Sequence, residues 1–551
     1  MAIIRFLTCF VLVFFQYTTA AEEIKPDASI SIPMRDGASL PADVYLPSPD
    51  AKNLPCILIR SPAGRQANSA KIYIPLAKEG YVVIIQDTRS VLDTEGKTLP
   101  YWSDGWGQLQ DGYDTVEWLA KNPYTNGKIG TAGFSALGIT QLLLAPTAPE
   151  ALKCQHIGVA ASSLYHHAIF PGGQLLKNQV EGWLGLYAKD PSVKNFVSAQ
   201  ATNMDFWNGF NSNIVADKVK VPALHYGGWY DTFLQGTIDS YIARNENGGP
   251  GAKGQQKLLI GPWTHHWPAL TKLGDFEVPA AGKTPPIDGT AQYWFDYYLK
   301  GIHNGLDKMP AVTYYVMGPF DGTQSSGNVW RHADKWPVPA LNTTFYLTDD
   351  HKLAEKKPAK QASLSYQHDH ENPVATQGGR NLFIESGPKD QRQIEERKDV
   401  LVFTSTPMTE DTEITGRILS KIFVTADHAH CDVVMRLTDV YPDGRSILIA
   451  DGLAHVCETK PSPDEANPTP ETKPKEVLVD LWSTSIVIAK GHSIRISISG
   501  SNYPRFEKVD MAGKDPAKIN AKIFIGSETP SEITLPIVRK GDKWLAKQAA
   551  L

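Results

Sequence analysis

Two kinds of hydrophobic pattern divide this chain into parts with different predicted folds. Continuous apolar runs such as Cys56–Ile59 and Val82–Ile85 end at polar or turn residues, which is typical of strands buried on both faces of a parallel sheet. Between such strands, Asp111–Leu119 predicts a crossover helix with an N-terminal cap. The alternation of strands and helices predicts a parallel sheet covered by helices over residues 21–165, which resumes over residues 219–322.

The hydrophobic pattern changes twice along the chain. Over residues 166–218, aromatic residues recur at helix-like intervals without strand signals, which predicts a helical insertion between the strands of the sheet. Over residues 323–551 the pattern becomes one of short strands; Ile494, Ile496 and Ile498 alternate with polar residues, as in a strand with one buried face. Repeated strands with turn signals predict a C-terminal β-sandwich.

The N-terminus has the features of an export signal. Arg5 precedes the apolar run Phe6–Phe15, and small residues suited to cleavage follow. We therefore predict a signal peptide over residues 1–20, a mature chain that starts near Ala21 or Glu22, and a secreted or periplasmic protein without membrane contact after cleavage. The alternative is an uncleaved anchor, but the run is shorter than a membrane span.

Composition and charge narrow the class of protein. A length of 551 residues predicts two or three domains, and a net charge of −5 without a basic block argues against nucleic acid as a partner. Export permits disulfides, and the turn at Tyr441–Gly444 puts Cys431 almost opposite Cys457. A disulfide between these two cysteines is one hypothesis, and a pair of small buried residues is the alternative.

Three polar residues follow three successive strand-like segments. Ser135 comes after Gly133-Phe134, Asp231 ends Gly227–Asp231, and His265 ends Gly261–His265. Serine, aspartate and histidine in this order are the chain order of an α/β-hydrolase triad. Because the ends of strands in a parallel sheet meet at one crevice, we expect the three side chains to converge. Ser135 would be the nucleophile, His265 its general base and acid, and Asp231 the carboxylate that orients the imidazole.

Each of these assignments has an alternative. The motif around the serine is weak by itself, because the glycine expected two residues later is Leu137 and a glycine comes only at position 138. Asp231 could instead cap the helix that follows it, and His266 competes with His265 as the base.

Many further segments resemble the cocaine esterase / X-prolyl dipeptidyl-peptidase group of serine hydrolases. The resemblance implies an α/β-hydrolase core, an inserted helical cap and a C-terminal jelly-roll sandwich, with the triad on Ser135, Asp231 and His265 and with no metal or organic cofactor. The segments that carry it, besides the three around the triad, are Gln86–Arg89, Asp111–Leu119, Asn126–Gly130, Thr438–Ser446, Val479–Trp482 and Ser501–Phe506.

The sequence departs from the family beside the nucleophile. A tyrosine hydroxyl commonly completes the oxyanion hole in this group, but the corresponding stretch here has Ala63 at that position. The residue after the nucleophile is Ala136 instead of tyrosine, and its backbone N–H can still donate. A backbone N–H of Ala63 or Gly64 is our hypothesis for the second donor.

Other conspicuous residues allow two interpretations each, a functional one and a structural one. Trp229, Phe233 and Trp263 are candidates for an acyl pocket, although aromatic residues beside a strand end are as often core. The histidines of His368–Glu371 and His428–Cys431 could suggest a metal site. We expect an ordinary connector and a surface pair there, and no metal.

The sequence thus predicts an exported serine hydrolase that cleaves a carboxylic ester or amide through an acyl-serine intermediate. Its substrate would be a small ester, an amide or a short peptide, and a homodimer is compatible with the sequence. An X-prolyl dipeptidyl-peptidase or an α-amino-acid ester hydrolase is the alternative within the enzymes. A non-catalytic protein that binds a glycan or polymer on a hydrolase scaffold is the alternative from another class.

Overall fold

A ten-stranded sheet organises the chain as far as Ala333. The structure is a computed structural model and describes residues 24–457, 473–509, 517–539, 541 and 544–545. In chain order the strands of this part are β1 (Ala28–Pro33), β2 (Ser39–Tyr45), β3 (Leu54–Ser61), β4 (Val82–Asp87), β5 (Thr125–Phe134), β6 (Leu152–Gly158), β7 (Ala223–Tyr230), β8 (Lys257–Thr264), β9 (Lys272–Leu273), β10 (Phe276–Glu277), β11 (Val312–Val316) and β12 (Val329–Ala333), of which β9 and β10 form a separate hairpin.

The order of the strands explains where polar residues meet. The sheet runs β1-β2-β4-β3-β5-β6-β7-β8-β11-β12, and its strands pair in parallel from β4 through β11. Strands β1, β2 and β12 join antiparallel at the two edges. The carboxyl ends of β5, β7 and β8 therefore lie along one edge of the sheet, with β6 between β5 and β7.

Both faces of this sheet are buried, as the continuous apolar runs indicated. Ile57 and Ile59 of β3 belong to one hydrophobic cluster, whereas Cys56 and Leu58 of the same strand belong to another. Alternate residues of a strand point to opposite faces, so an unbroken apolar run supplies two cores at once. The large parallel sheet predicted from the sequence is confirmed.

Helices cover this sheet and fill the segment between β6 and β7. The predicted crossover helix at Asp111 is present as α3. Three helices, α5, α6 and α7, occupy the segment predicted as an insertion. The helices are α1 (Asn68–Lys71), α2 (Arg89–Leu92), α3 (Asp111–Ala120), α4 (Ala136–Leu144), α5 (Lys177–Tyr187), α6 (Pro191–Ala199), α7 (Met204–Asn208), α8 (Leu234–Asn247), α9 (Ala291–Tyr298) and α10 (Arg392–Glu395).

The remaining strands form a separate C-terminal β region. One sheet runs β14-β13-β23-β17-β22-β15 with β20 paired to β17, and a second runs β16-β21-β18-β19. The strands are β13 (Leu341–Leu347), β14 (Leu353–Ala354), β15 (Ala362–Asp369), β16 (Leu401–Thr404), β17 (Thr412–Ala426), β18 (His430–Val440), β19 (Ser446–Cys457), β20 (Lys475–Ile488), β21 (Ser493–Ser499), β22 (Lys518–Ile525) and β23 (Glu532–Val538).

The predicted all-β C-terminal region is confirmed, with one shift of its boundary. We placed the end of the first part at residue 322, but β12 at Val329–Ala333 returns antiparallel onto β11 and extends the first sheet. The sequence of β12 contains no signal that separates a strand of one sheet from a strand of the other. The jelly-roll connectivity and the action of α5–α7 as a cap stay predictions.

Two further expectations concern residues that are partly or wholly outside the described chain. The predicted signal peptide, residues 1–20, lies outside it; within the described residues, no helix is long and apolar enough to span a membrane. In the β18–β19 hairpin, Cys431 pairs with Val456 and Cys457 pairs with His430. The side chain of Cys457 is not among those described, so the disulfide stays a hypothesis.

Candidate active site

Ser135 occupies a strained turn between β5 and α4. Its φ of 57° and ψ of −126° are unusual for a residue with a side chain, and its backbone N–H donates to the carbonyl of Gly158 at 2.9 Å. A strained turn between strand and helix exposes a serine hydroxyl above the sheet, and Ser135 is only half-buried.

The spacing of the glycines around Ser135 has a steric cause. A Cβ on Gly133, whose φ is +155°, would lie 2.5 Å from the Cβ of Leu137. A Cβ on Gly138 would lie 2.7 Å from the Cβ of Ala160, so this glycine lets α4 pack against the segment after β6. Leu137 itself is buried in the core. The shifted glycine that made the motif weak is therefore a packing feature.

Asp231 and His265 follow the neighbouring strands β7 and β8 and meet Ser135. The Nε2 atom of His265 lies 2.9 Å from the Oγ of Ser135, and its Nδ1 lies 2.6 Å from the Oδ1 of Asp231. Asp231 is fully buried, and His265 is 8% exposed. The three residues that the sequence singled out are thus brought together in a continuous hydrogen-bonded chain.

His266, the competing histidine, faces another partner. Its Nε2 lies 3.0 Å from the carbonyl oxygen of Leu382, and its ring is perpendicular to that of His265, with 5.8 Å between the centroids. Burial, followed by the neighbouring His265, lowers the pKa of His266. A neutral His266 that donates to a carbonyl suits a structural role.

The candidate oxyanion donors differ in their availability. Ala136 is the first residue of α4, so its N–H has no acceptor within the helix. The N–H of Gly64 already donates to the carbonyl of Ser61 at 3.2 Å, which argues against Gly64 as the second donor. Ala63 remains as the candidate, because it follows β3, which pairs in parallel with β5 and ends at the same edge of the sheet.

Of the three aromatic residues proposed for an acyl pocket, Phe233 lies against the histidine. Its ring meets His265 edge-on, with 5.4 Å between the centroids. Trp229 is 1% exposed, and its indole N–H donates to the carbonyl of Tyr315 at 2.6 Å. Trp263 is 5% exposed and donates to Gly282 at 2.9 Å. These contacts favour packing roles for the two tryptophans.

A loop of the C-terminal region also reaches the site, which the sequence analysis did not find. Leu382 accepts the hydrogen bond from His266, and the next residue, Phe383, is 44% exposed. Phe383 packs against Gly182 of α5, where an added Cβ would lie 2.5 Å from its ring. The loop thus joins His266, the neighbour of His265, to α5, and no local motif marks a contact across so many residues.

The histidines of the segment His428–Cys431 have ordinary partners. His430 lies 3.3 Å from His455, nitrogen to nitrogen, and His455 lies 2.7 Å from the carboxylate of Asp432. Within the part of the chain that the structure describes, no three histidine, cysteine or acidic side chains are grouped so as to hold a metal ion.

Comparison with known proteins identifies the family of this chain. The family described as X-Pro dipeptidyl-peptidase (S15 family) matches residues 36–195 and 186–267, and the X-Pro dipeptidyl-peptidase C-terminal non-catalytic domain matches residues 304–534. The cocaine esterase of Rhodococcus sp. (strain MB1 Bresler) is 28% identical to this chain, over 93% of this chain and 98% of that protein.

Solved structures share the fold over nearly the whole chain. An aminopeptidase from the marine sediment archaeon Thaumarchaeota archaeon has a TM-score of 0.74 at 21% identity, covering 95% of this chain and 100% of the other. An α-amino acid ester hydrolase has a TM-score of 0.72 at 22% identity, covering 94% and 98%.

The fold and the family matches together define a serine hydrolase. The chain belongs to the cocaine esterase / X-prolyl dipeptidyl-peptidase family and is an ester or amide hydrolase.

Proposed function

We propose that the protein is an exported esterase that cleaves small carboxylic esters through an acyl-serine intermediate on Ser135. The observation that carries this proposal is the hydrogen-bonded chain from Ser135 through His265 to the buried carboxylate of Asp231. The ester-cleaving branch is supported by the similarity to the cocaine esterase, which extends over 98% of that relative. The signal-like N-terminus of the sequence supports export.

The reaction follows from the positions of these groups. The Oγ of Ser135 attacks the ester carbonyl carbon while the Nε2 of His265 removes the hydroxyl proton. Asp231 holds the imidazole by its Nδ1 and stabilises the charged ring. The N–H groups of Ala136 and Ala63 would receive the oxyanion of the tetrahedral intermediate. His265 then returns the proton to the departing alcohol, and a water activated by His265 releases the acid from Ser135.

The first test uses the Ser135→Ala variant of the mature chain. We expect kcat toward p-nitrophenyl esters to fall by about 10⁴-fold or more, because no other group can form the acyl intermediate. Ser192→Ala, which removes an exposed hydroxyl from α6, is the matched control and should retain activity. A fluorophosphonate should modify the wild-type protein once, at Ser135. Unchanged activity in Ser135→Ala would refute the assignment.

The second test separates the ester branch from the peptidase branch. Simple p-nitrophenyl esters, an α-amino-acid ester and a Gly-Pro anilide are compared at equal enzyme concentration. We expect the highest kcat/KM for the simple esters, and loss of all activities together in Ser135→Ala. A higher kcat/KM for the Gly-Pro anilide would assign the protein to the X-prolyl dipeptidyl-peptidases, and a higher value for the amino-acid ester would assign it to the α-amino-acid ester hydrolases.

A further inference from the structure

A cavity of about 370 Å³ lies where the hydrolase part, the segment before α5 and the C-terminal β region meet. We call it the junction cavity. None of the three triad residues lines it. The residues that matter below are His166, Asp239 of α8, Arg417 of β17, and Asp480 and Trp482 of β20.

The charged groups of the junction cavity neutralise one another. The guanidinium of Arg417 lies 2.5 Å from a carboxylate oxygen of Asp480 and 3.4 Å from one of Asp239. The second oxygen of Asp239 lies 3.2 Å from the ring of His167. One arginine is thus shared by two carboxylates, so this cluster alone has one negative charge in excess. Asp451, which also lines the cavity, is paired with both Arg505 and Arg380. The two clusters together have three guanidinium groups and three carboxylates, which leaves no surplus positive charge for an anionic ligand.

These paired groups remain reachable from the cavity. The side chains of Arg417, Asp480 and Asp239 are 43%, 27% and 20% exposed. A carboxylate only accepts hydrogen bonds and a guanidinium only donates them. A hydroxyl group does both, so neighbouring hydroxyls on one ligand can donate to the carboxylates and accept from Arg417.

Another part of the cavity wall is apolar. Leu453, Phe506 and Trp482, all buried, line it together with Pro171. Gly172 permits this close packing: its φ is +69°, and a Cβ there would overlap the carbonyl oxygen of Leu453. A ligand with hydroxyls at its edges and C–H groups on its faces would match both kinds of wall.

Trp482 is held in the cavity wall by an irregular strand. In the pairing of β17 with β20, Ile418 faces Trp482 and Leu419 faces Asp480, so Leu481 is an extra residue and forms a bulge. Trp482 has a φ of +65°, a conformation that is strained for a residue with a side chain. Bulges commonly redirect side chains at functional sites, and such strain is concentrated at ligand sites.

We propose that the junction cavity binds a neutral polyhydroxylated ligand of the chemical class of a mono- or disaccharide. The balance of three guanidinium groups by three carboxylates favours a neutral ligand. The adjacent donors and acceptors favour hydroxyls, and the apolar wall around Trp482 favours a ring face. The volume is at the small end of ligand pockets, which suits one or two sugar rings. This proposal is independent of the serine chemistry.

Saturation-transfer NMR on the whole mature protein tests the proposal. The probes are glucose, N-acetylglucosamine and maltose as neutral sugars, glucuronate as an anion and glucosamine as a cation. We expect saturable binding of at least one neutral sugar, at millimolar concentration or below, and no saturable binding of glucuronate. Absence of saturable binding for all three neutral sugars, or a preference for either charged sugar, would overturn the proposal.

Two variants locate the binding. Asp480→Asn and Arg417→Gln keep the shape of the wall and change its hydrogen bonding, and each should weaken the sugar by about tenfold or more. Arg445→Gln is the matched control, because Arg445 is likewise partly exposed and shared by two carboxylates, those of Asp321 and Asp443. Equal affinities in all four proteins would place the sugar elsewhere and refute the site.

A third variant tests the proposal if Asp480→Asn and Arg417→Gln do not fold stably. If thermal unfolding shows that both are destabilised, His166→Leu changes an exposed side chain at the cavity. This variant should then weaken the same sugar with an unaltered melting temperature. Unaltered affinity in His166→Leu would count against the proposal.

Discussion

The parallel sheet and the C-terminal β region both bury ionisable side chains, but they arrange them differently. In the sheet, Ser135, Asp231 and His265 come from the ends of three strands and form a chain that ends at a half-buried hydroxyl. In the β region, Asp451 lies between Arg505 and Arg380, and all three side chains are at most 6% exposed.

The comparison of these two buried clusters indicates when buried charged groups are a sign of function. In a buried ion pair each charge compensates the other, and removal of one member is costly because the other charge stays buried alone. A buried carboxylate that holds a histidine, which in turn faces an accessible hydroxyl, has chemistry available at one end. Burial of charged groups alone therefore does not indicate an active site. A series of hydrogen-bonded side chains that ends at an accessible hydroxyl does.

The largest expected effect tests the identity of the base in the sheet. His265→Gln should lower kcat toward p-nitrophenyl esters by about 10⁴-fold, because an amide cannot remove the proton of Ser135. His266→Gln is the control and should stay within about tenfold of the wild type, since its ring faces Leu382. A larger loss in His266→Gln than in His265→Gln would reverse the assignment.

The next effect concerns stability in the β region. Asp451→Asn should lower the free energy of unfolding by about 3–5 kcal/mol, because it leaves Arg505 and Arg380 buried without their counter-charge. Urea denaturation at pH 7 measures the change. Asp443→Asn alters an exposed turn carboxylate and should change stability by about 0.5 kcal/mol or less. Similar small changes in both variants would mean that the buried pair contributes little.

The two regions should also differ in the pH at which they lose stability. Burial raises the pKa of Asp451, but Arg505 and Arg380 outweigh it, and the net shift is downward. The stabilisation by this carboxylate is therefore present above its unfolded pKa, near 3.8, and is lost only as the pH falls through the lower folded value.

The stability contributed by the parallel sheet should begin to fall at a higher pH than that contributed by the β region. Burial lowers the pKa of His225 to about 3 and that of His156 to about 4. The unfolded chain takes up these protons below about pH 6.5 and the folded chain does not, so stability falls from pH 6.5 downward, by about 2 kcal/mol per histidine at pH 5.

His225→Gln should therefore reduce the loss of stability between pH 7 and pH 5 by about 2 kcal/mol. Urea denaturation at the two pH values measures it. His303→Gln, which changes an exposed histidine, should retain the pH dependence of the wild type. An unchanged pH dependence in His225→Gln would show that this histidine titrates alike in both states.

The smallest effect tests whether the β region shapes the substrate site. Phe383→Ala should lower kcat/KM for a benzoyl ester by about tenfold and change it little for an acetyl ester, because only the larger acyl group would reach the ring. Phe196→Ala removes a similarly exposed ring from α6 and is the control. Equal effects on both esters would exclude Phe383 from the acyl pocket.

Local patterns predicted much of the fold and most of the polar residues of the candidate site. The helix at Asp111 and the strands before Asp231 and His265 were predicted because apolar periodicity and turn residues act over a few neighbours. Since strand ends in a parallel sheet share one edge, the order of the three residues along the chain also predicted that they meet. Family membership, confirmed by the comparisons, rested on short segments of the same kind.

Contacts between distant segments were beyond the sequence. The hydrogen bond between His266 and Leu382 and the packing of Phe383 on Gly182 both depend on how separate elements pack against each other. The sequence by itself determined which elements form and which side chains stand at their ends, because these follow from local preference. Only the tertiary structure decided which of those side chains have partners and which face an open crevice, because burial and hydrogen bonding depend on the whole chain.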